Sequence, residues 1–388
     1  MNEIIYLDHR YLSNTYKKLP VTIVRGKGSI LYDLDEKPYI DLTSGIGVNT
    51  FGICDDLWLD AVKHQLDRMQ HCSNRIYAAP CAELAEKLCE KTRMCKVFFS
   101  NSGAEANECA VKAARKYSAE KKGCEYNTVI SLDNSFHGRT ISMLSATGQE
   151  QYHQHYKPLT PGFISIPANV QSLGNVLKTT KTAAIMIECI QGEGGVVPLD
   201  AAFIQKAHEL CNEYDIPLIV DEVQTGNGRT GKLYSYMHFG IQPDIVTTAK
   251  GLSGGLPLGA TLFGDKMQNI FEPGDHGSTF GGNPVCCAGA ISILDRITEN
   301  LMQKVHEKGK WIHDQLQFAS GIEKVEGMGL MIGVSTKKDP ELIVSECLER
   351  GVICMTAKRR IRLLPSLNIT FELLKEAITI LKTSCVNY

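Results

Sequence analysis

The chain has 388 residues, 43% of them hydrophobic and 22% charged, with a formal net charge of -2. That balance excludes a disordered chain, leaves room for two domains, and offers no basic field for nucleic acid or an anionic membrane. The 14 cysteines are scattered without a Cys-x-x-Cys spacing, the start lacks the long apolar core of a signal peptide, and no apolar run reaches membrane-spanning length. The expectation is a reduced, soluble, cytoplasmic protein.

In chain order, a polar lead is followed by Val21-Thr22-Ile23-Val24 and Ile30-Leu31-Tyr32-Asp33-Leu34, strand-like pieces of a small sheet or arm around Gly26-Lys27-Gly28. Residues 58–69 have helical spacing, with Trp58, Ala61, Val62, Leu66 and Met69 on one face, and residues 82–89 continue in the same style. From Val97 strands alternate with amphipathic segments: Val97-Phe98-Phe99, Thr128-Val129-Ile130, Ala184-Ile185-Met186-Ile187, Leu218-Ile219-Val220 and Ile245-Val246. Strands separated by helices imply a mainly parallel sheet. In the helix over 201–214, Asp200 is the expected N-cap and Phe203, Ile204, Ala207, Leu210, Cys211 and Tyr214 form the expected buried stripe. After Pro284 come a long helical stretch, the run Met328-Gly329-Leu330-Met331-Ile332-Gly333-Val334, a helix near 342–350, strands around Val352 and Ile361, and a last helix after Thr370. The reading is α/β: a large sheet domain over about residues 46–285, and a small α+β domain formed by both termini, residues 1–45 and 286–388.

Two of the buried strands each deliver one charged residue. Asp221 follows Leu218-Ile219-Val220, and Lys250 closes the run Ile245-Val246-Thr247-Thr248-Ala249. In an open α/β sheet ligands gather at the carboxyl ends of the strands, so both face a cleft. That pair points to pyridoxal phosphate, because a lysine bonds its aldehyde and a carboxylate opposite holds the pyridine nitrogen protonated, making the ring an electron sink. An acid and a lysine at strand ends are more often plain solvent-facing charges. Here the surrounding residues decide.

The segment Ser100-Asn101-Ser102-Gly103-Ala104-Glu105-Ala106-Asn107 leaves a strand and opens a helix, where free amides, a glycine and the Ser102 hydroxyl suit a phosphate, although Ser and Gly are also common as plain caps. In Ser135-Phe136-His137-Gly138-Arg139-Thr140 the aromatic can stack on a ring and the arginine fork can receive a carboxylate. The bland reading is a core aromatic beside a surface arginine. Val223 would pack on the other ring face and Gln224 would reach its phenolic oxygen. Gln191-Gly192-Glu193-Gly194-Gly195 reads as a flexible rim loop, and Gly277-Ser278-Thr279-Phe280-Gly281-Gly282-Asn283-Pro284 as either a linker or a binding loop.

Asp221-Glu222-Val223-Gln224-Thr225-Gly226, then Gly228-Arg229-Thr230-Gly231, Lys250-Gly251 and Gly255-Leu256-Pro257-Leu258-Gly259, resemble the class III (subgroup II) pyridoxal-phosphate-dependent aminotransferases, and the resemblance covers nearly the whole chain. It implies the type I pyridoxal-phosphate transferase fold. It puts Lys250 and Asp221 at the catalytic centre, Ser102, Gly103 and Ala104 at the cofactor phosphate, Phe136 on the ring, and Glu222, Val223 and Gln224 among the cofactor residues. Arg139 would take the substrate α-carboxylate, and Glu193 would pair with a second arginine, best matched by Arg362. Thr279 would reach the phosphate of a neighbouring subunit with Ser278 near the substrate, which implies a homodimer with shared sites. No metal is assigned, and His137 is given no catalytic role.

The nearest subgroup implies transfer of the δ-amino group of N2-acetyl-L-ornithine to 2-oxoglutarate, in arginine biosynthesis. Alternatives are ornithine, succinylornithine or 4-aminobutyrate as donor, or an isomerase or decarboxylase on the same fold. Enzymes for free ornithine resemble Thr43-Ser44-Gly45-Ile46-Gly47-Val48-Asn49 but carry tyrosine at Gly45, where a small residue leaves room for an acyl group. One departure is the turn after Gly52, usually histidine-rich, which here reads Ile53-Cys54-Asp55-Asp56.

Overall fold

A computed structural model describes residues 3–386. Its centre is a seven-stranded sheet of β1 Lys96–Ser100, β2 Thr128–Leu132, β3 Phe163–Ile166, β4 Thr182–Ile187, β5 Leu218–Asp221, β6 Ile245–Thr248 and β7 Gly259–Phe263. Strands β4 to β7 are buried along their whole length, as short apolar runs covered by helices on both faces must be. The spatial order is β1-β7-β6-β5-β4-β2-β3. All pairs are parallel except those of β7, which runs against both β6 and β1.

That reversal shapes the rim. The carboxyl ends of β1, β5 and β6 carry Ser100, Asp221 and Thr248, and the first residues of β7, Gly259 and Ala260, pair with Ser100 and Thr248. The glycine-rich segment before β7 therefore lies on the rim where the acid and the lysine emerge. Neither β3 nor β7 is anticipated by the sequence reading. Strand β3 is short and only partly buried, and β7 opens on glycine straight after a Gly-Pro-rich stretch.

A second core joins Ile40 and Leu42 to Val305, Ile312, Ile332, Ile361, Ile378 and Leu381. The strands Ile23–Lys27, Ile30–Asp33 and Pro38–Asp41 form an antiparallel sheet to which Val352–Ile353 adds a parallel fourth, so the two ends of the chain are built together. An antiparallel sheet of Ile322–Met328, Met331–Thr336, Arg360–Leu363 and Met355–Ala357 carries Arg362.

Three expectations need correcting. The helix Pro284–Leu294 packs Cys287, Ala290, Ile293 and Leu294 into the sheet core, with Ile297 behind them, so that core runs past residue 285. In the helix Asp56–Arg68 the expected face holds at Trp58, Ala61 and Val62, but Leu66 is 51% exposed and Gln65 takes the inward place, donating to the Met69 carbonyl. The polar lead contains a helix, Glu3–Tyr11, with no buried side chain. By contrast Asp200 caps its helix as expected, accepting from the amides of Ala202 and Phe203, worth about 1 kcal/mol. In the atypical turn, Asp55 caps the Asp56–Arg68 helix through the Trp58 amide and pairs with Arg296 at 2.7 Å, which gives it a structural task.

The seam between the cores is tied by a buried cation. Arg229 donates to the carbonyls of Leu330 and Pro365 and to Ser44 Oγ, and burial pushes its guanidinium down to about 9 against the pull of Asp41. Ser44 in turn donates to the Leu364 carbonyl. Residues 44–47 all have positive φ, at 42, 65, 63 and 75°, a left-handed turn in which Ser44 and Ile46 each cost about 1–2 kcal/mol. No helix among the described residues is long and apolar enough to cross a membrane.

Candidate active site

A cleft of about 480 Å3 opens on this rim. Lys250 reaches it from the residue that begins a short 3-10 turn two positions after β6. Its backbone is left-handed, φ 45°, a strain of roughly 1–3 kcal/mol that a non-glycine residue keeps only where the surroundings fix it. Among the described residues its ammonium makes no hydrogen bond and no ion pair. Burial lowers its pKa; Glu193, Asp221 and Glu188 pull the other way and Arg362 adds to the lowering. An amine so placed is a nucleophile in waiting.

Asp221, the last residue of β5, is buried and lines the same cleft. Its Oδ2 accepts from Asn107 Nδ2 and pairs with His137 Nδ1, both at 2.8 Å, and its Oδ1 accepts only from the Val223 amide at 2.9 Å. Oδ1 therefore keeps a lone pair for a donor in the cleft.

At one end of the cleft the helix Gly103–Lys122 presents its first turn. The amides of Gly103 and Ala104 have no partner within the helix, and Ser102 caps it by accepting from the Glu105 amide, leaving the hydroxyl proton free to donate. A methyl group on Gly103 would sit 2.6 Å from a Val223 methyl, so glycine alone lets the helix start close on Val223. Phe136 lines the wall from the loop after β2, its amide held by the buried Glu188 at 2.9 Å.

Two arginines bear on the cleft in different states, Arg139 lining it and Arg362 lying behind the lining residues Glu193 and Gln224. Arg139 is exposed, lies 4.2 Å from the Tyr152 ring centre and 5.4 Å from that of Phe136, and among the described residues forms no ion pair. Arg362 is buried and neutralised, bonding to Glu193 and donating to Gln224 Oε1 at 3.1 Å, while Gln224 Nε2 donates to Glu193 at 3.1 Å. Burial would raise the Glu193 carboxyl, but Arg362 and Lys250 outweigh it and hold it below its usual range.

Of the expected cofactor residues, Glu222 is placed elsewhere, and the two expected at a site shared with a neighbouring subunit lie outside this cleft. Glu222 faces away from the cleft and is fully buried, receiving bonds from Thr225, Ser235 and the Tyr236 amide; it braces the loop after β5 instead of meeting a ligand. Ser278 and Thr279 do not line the cleft of their own chain. They lie on a separate groove of about 960 Å3, where Ser278 Oγ bonds to Asn101 and to the Gly281 amide and Thr279 is exposed.

Sequence reasoning missed Asn107, Tyr152 and Glu188. Glu188 lines the cleft directly after β4, the same strand-end placement that marks Asp221, and burial pushes it up to about 7. Asn107 is a polar residue within an apolar helix face, one turn after Gly103. Tyr152 lies in a short 3-10 turn with no sequence signal.

The donor set fits pyridoxal phosphate. Two free helix amides and a serine hydroxyl suit its phosphate, an aromatic and a valine suit its ring faces, and an acid with one open oxygen and an unpartnered lysine suit its nitrogen and aldehyde.

The class III aminotransferase family matches residues 11–385. The acetylornithine aminotransferase of Haemophilus ducreyi is 46% identical over 98% of each chain. Among solved structures, the ornithine aminotransferase of Toxoplasma gondii superposes with a TM-score of 0.95 at 32% identity, covering 99% of this chain and 94% of that one. The acetylornithine aminotransferase of Elizabethkingia anophelis gives 0.87 at 32% identity, with 98% and 97% covered. With the lysine, the acid and the phosphate cradle gathered on one rim and a match over nearly its full length, the chain belongs to the class III aminotransferases, which are pyridoxal-phosphate-dependent enzymes.

Proposed function

We propose that this enzyme moves the δ-amino group of N2-acetyl-L-ornithine to 2-oxoglutarate, giving N-acetylglutamate 5-semialdehyde and glutamate, a step of arginine biosynthesis. The observation that carries the two-substrate reading is the pair of arginines in opposite states: Arg139 open, Arg362 closed by Glu193. An enzyme that takes a mono-carboxylate donor and then a dicarboxylate acceptor on one site needs one constant carboxylate receptor and one that can be withdrawn.

Bound pyridoxal phosphate supplies an aldehyde for the amine and a pyridinium ring that takes up the electron pair left when a proton is removed. Gly103, Ala104 and Ser102 would hold the phosphate, Phe136 and Val223 would cover the ring faces, and Asp221 Oδ1 would accept a hydrogen bond from the protonated ring nitrogen. Lys250 carries the cofactor at rest. Lys250 Nζ, freed for the purpose, would take the proton from the donor's δ-carbon and give it back as the general acid. Its lowered pKa suits this, because more of it is the free amine near neutrality. Arg139 holds the donor's α-carboxylate. In the second half Glu193 swings from Arg362, which then receives a carboxylate of 2-oxoglutarate, and Lys250 moves the proton in the opposite sense.

The acyl preference rests on Gly45 and on the curated relatives. Ornithine carries an α-ammonium that needs a partner, and acetylation removes that charge. A tyrosine at Gly45 would stand on a left-handed backbone whose Cβ already meets Asn49 at 3.2 Å. The expected result in a donor panel is a kcat/KM for acetylornithine at least about tenfold above that for ornithine or 4-aminobutyrate. A better rate with free ornithine would overturn the substrate, not the chemistry.

The working unit in this reading is a homodimer in the cytoplasm. Thr279 lies on an open groove, and the chain segments that line it run on into the exposed apolar side chains of Ile76, Tyr77 and Phe280, as a surface awaiting cover would. The partner subunit's Thr279 then completes the phosphate site. Mixing Lys250→Ala subunits with Thr279→Ala subunits should restore part of the activity through hybrid sites. Mixtures as inactive as their parts would exclude sharing.

A further inference from the structure

Asn107 is buried, 1% exposed, on a helix whose neighbouring buried residues are Ala106, Cys109, Ala110 and Val111. An amide in such surroundings costs about 1–3 kcal/mol unless it is bonded, so its bonds are the reason to look at it. All its polar capacity is directed at the rim. Nδ2 donates to Asp221 Oδ2 at 2.8 Å and to the His137 carbonyl at 2.8 Å, and Oδ1 accepts from Thr247 Oγ1 at 2.6 Å.

These partners fix the sense of the amide. Turned over, it would set its oxygen against two acceptors, the His137 carbonyl and the Asp221 carboxylate. Thr247 stands opposite Asp221 in the parallel pairing of β6 with β5, so one side chain straddles the ends of two adjacent strands.

We propose that Asn107, locked by Thr247, is a positioning residue: it turns the Asp221 carboxylate so that Oδ1 faces the ring nitrogen, and it sets the spacing between that acid and the phosphate-holding helix start. Gly103 and Ala104 lie one turn before Asn107 on the same helix, so the bond to Asp221 ties the two ends of the cofactor site to each other. A rigid pyridine ring with a phosphate arm has one length to match. With two donors on Oδ2, the carboxylate cannot rotate without breaking charge-assisted bonds. The inference rests on the role of Asp221 proposed above.

The test compares holoenzymes of Asn107→Leu, Thr247→Val and Asp221→Asn with the unaltered protein, using cofactor labelled with nitrogen-15 in the ring. The nitrogen chemical shift reads whether the ring nitrogen carries its proton, and titration of each apoprotein reads cofactor affinity. Asn107→Leu should move the shift toward the unprotonated value, weaken cofactor binding about tenfold or more, and lower kcat at least about tenfold with the donor KM changed less than about threefold. Thr247→Val, which spares the amide itself, should move the same readouts in the same direction by less, and it carries the test if Asn107→Leu does not fold. A shift and kcat unchanged in Thr247→Val and in any folded Asn107→Leu, while Asp221→Asn alters both, would overturn the positioning role and leave Asp221 standing. If Asp221→Asn itself leaves the shift unchanged, the role of the acid fails first.

Discussion

Lys250→Ala is expected to lower turnover by about a thousandfold or more while leaving a folded protein. Removing Nζ removes both the covalent anchor and the proton carrier from the cleft floor, and no other lysine lines that cleft. The apoprotein should melt no lower than the unaltered one. In the folded state burial lowers the Lys250 pKa, so the ammonium form opposes folding below the unfolded pKa, and truncation relieves that opposition. Borohydride reduction of the unaltered holoenzyme followed by peptide mapping should place the cofactor on Lys250. Label on a different lysine would end this assignment.

Asp221→Asn is expected to cut turnover by about a hundredfold or more with much of the cofactor still bound. The carboxylate receives three donors, Asn107 and His137 on Oδ2 and the Val223 amide on Oδ1. An amide at this position must turn its NH2 toward one of those donors. If it faces Val223, the group left toward the ring is itself a donor, and the ring nitrogen must give up its proton to be tolerated. The phosphate end is untouched, so cofactor content measured by absorbance should stay high as kcat collapses. A near-normal rate would remove the acid from the mechanism. The frustrated amide should also cost the apoprotein about 1–3 kcal/mol, visible as a lower melting temperature.

The sheet was readable because its central strands are uninterrupted apolar runs, and a charged residue directly after such a run stands out. Asp221 and Lys250 were found that way. Glu188 obeys the same rule after β4, but the glycine-dense run from Gln191 to Gly195 is the stronger signal on that rim. Glu222 could not be placed from sequence, since the turn after β5 sends consecutive residues to opposite sides: Asp221 to the cleft, Glu222 to Ser235 and Thr225. The arginines were found by residue type, but their states were not. That Arg139 leans on Tyr152 while Arg362 is closed by Glu193 depends on distant segments meeting at the rim. Ser278 and Thr279 are expected at a neighbouring subunit's site from resemblance alone, because a site shared between chains leaves no pattern in the sequence of one. Asn107 was invisible because a single asparagine in a helix carries no periodic signal.

The reversed strand β7 has a consequence for how the chain is made. In the sheet β1 touches only β7, and β6 is covered on that side by β7 alone. As the chain leaves the ribosome, residues 96–100 thus wait for residues 259–263 before they have any sheet neighbour, while the Gly103–Lys122 helix that should cradle a phosphate hangs from an unpaired strand. A nascent chain ending short of Gly259 has an open, apolar strand edge at Ile245–Thr248 and no finished ligand site, the condition in which chains join to one another. The rim of the ligand site and the last gap in the sheet are closed by the same insertion of β7.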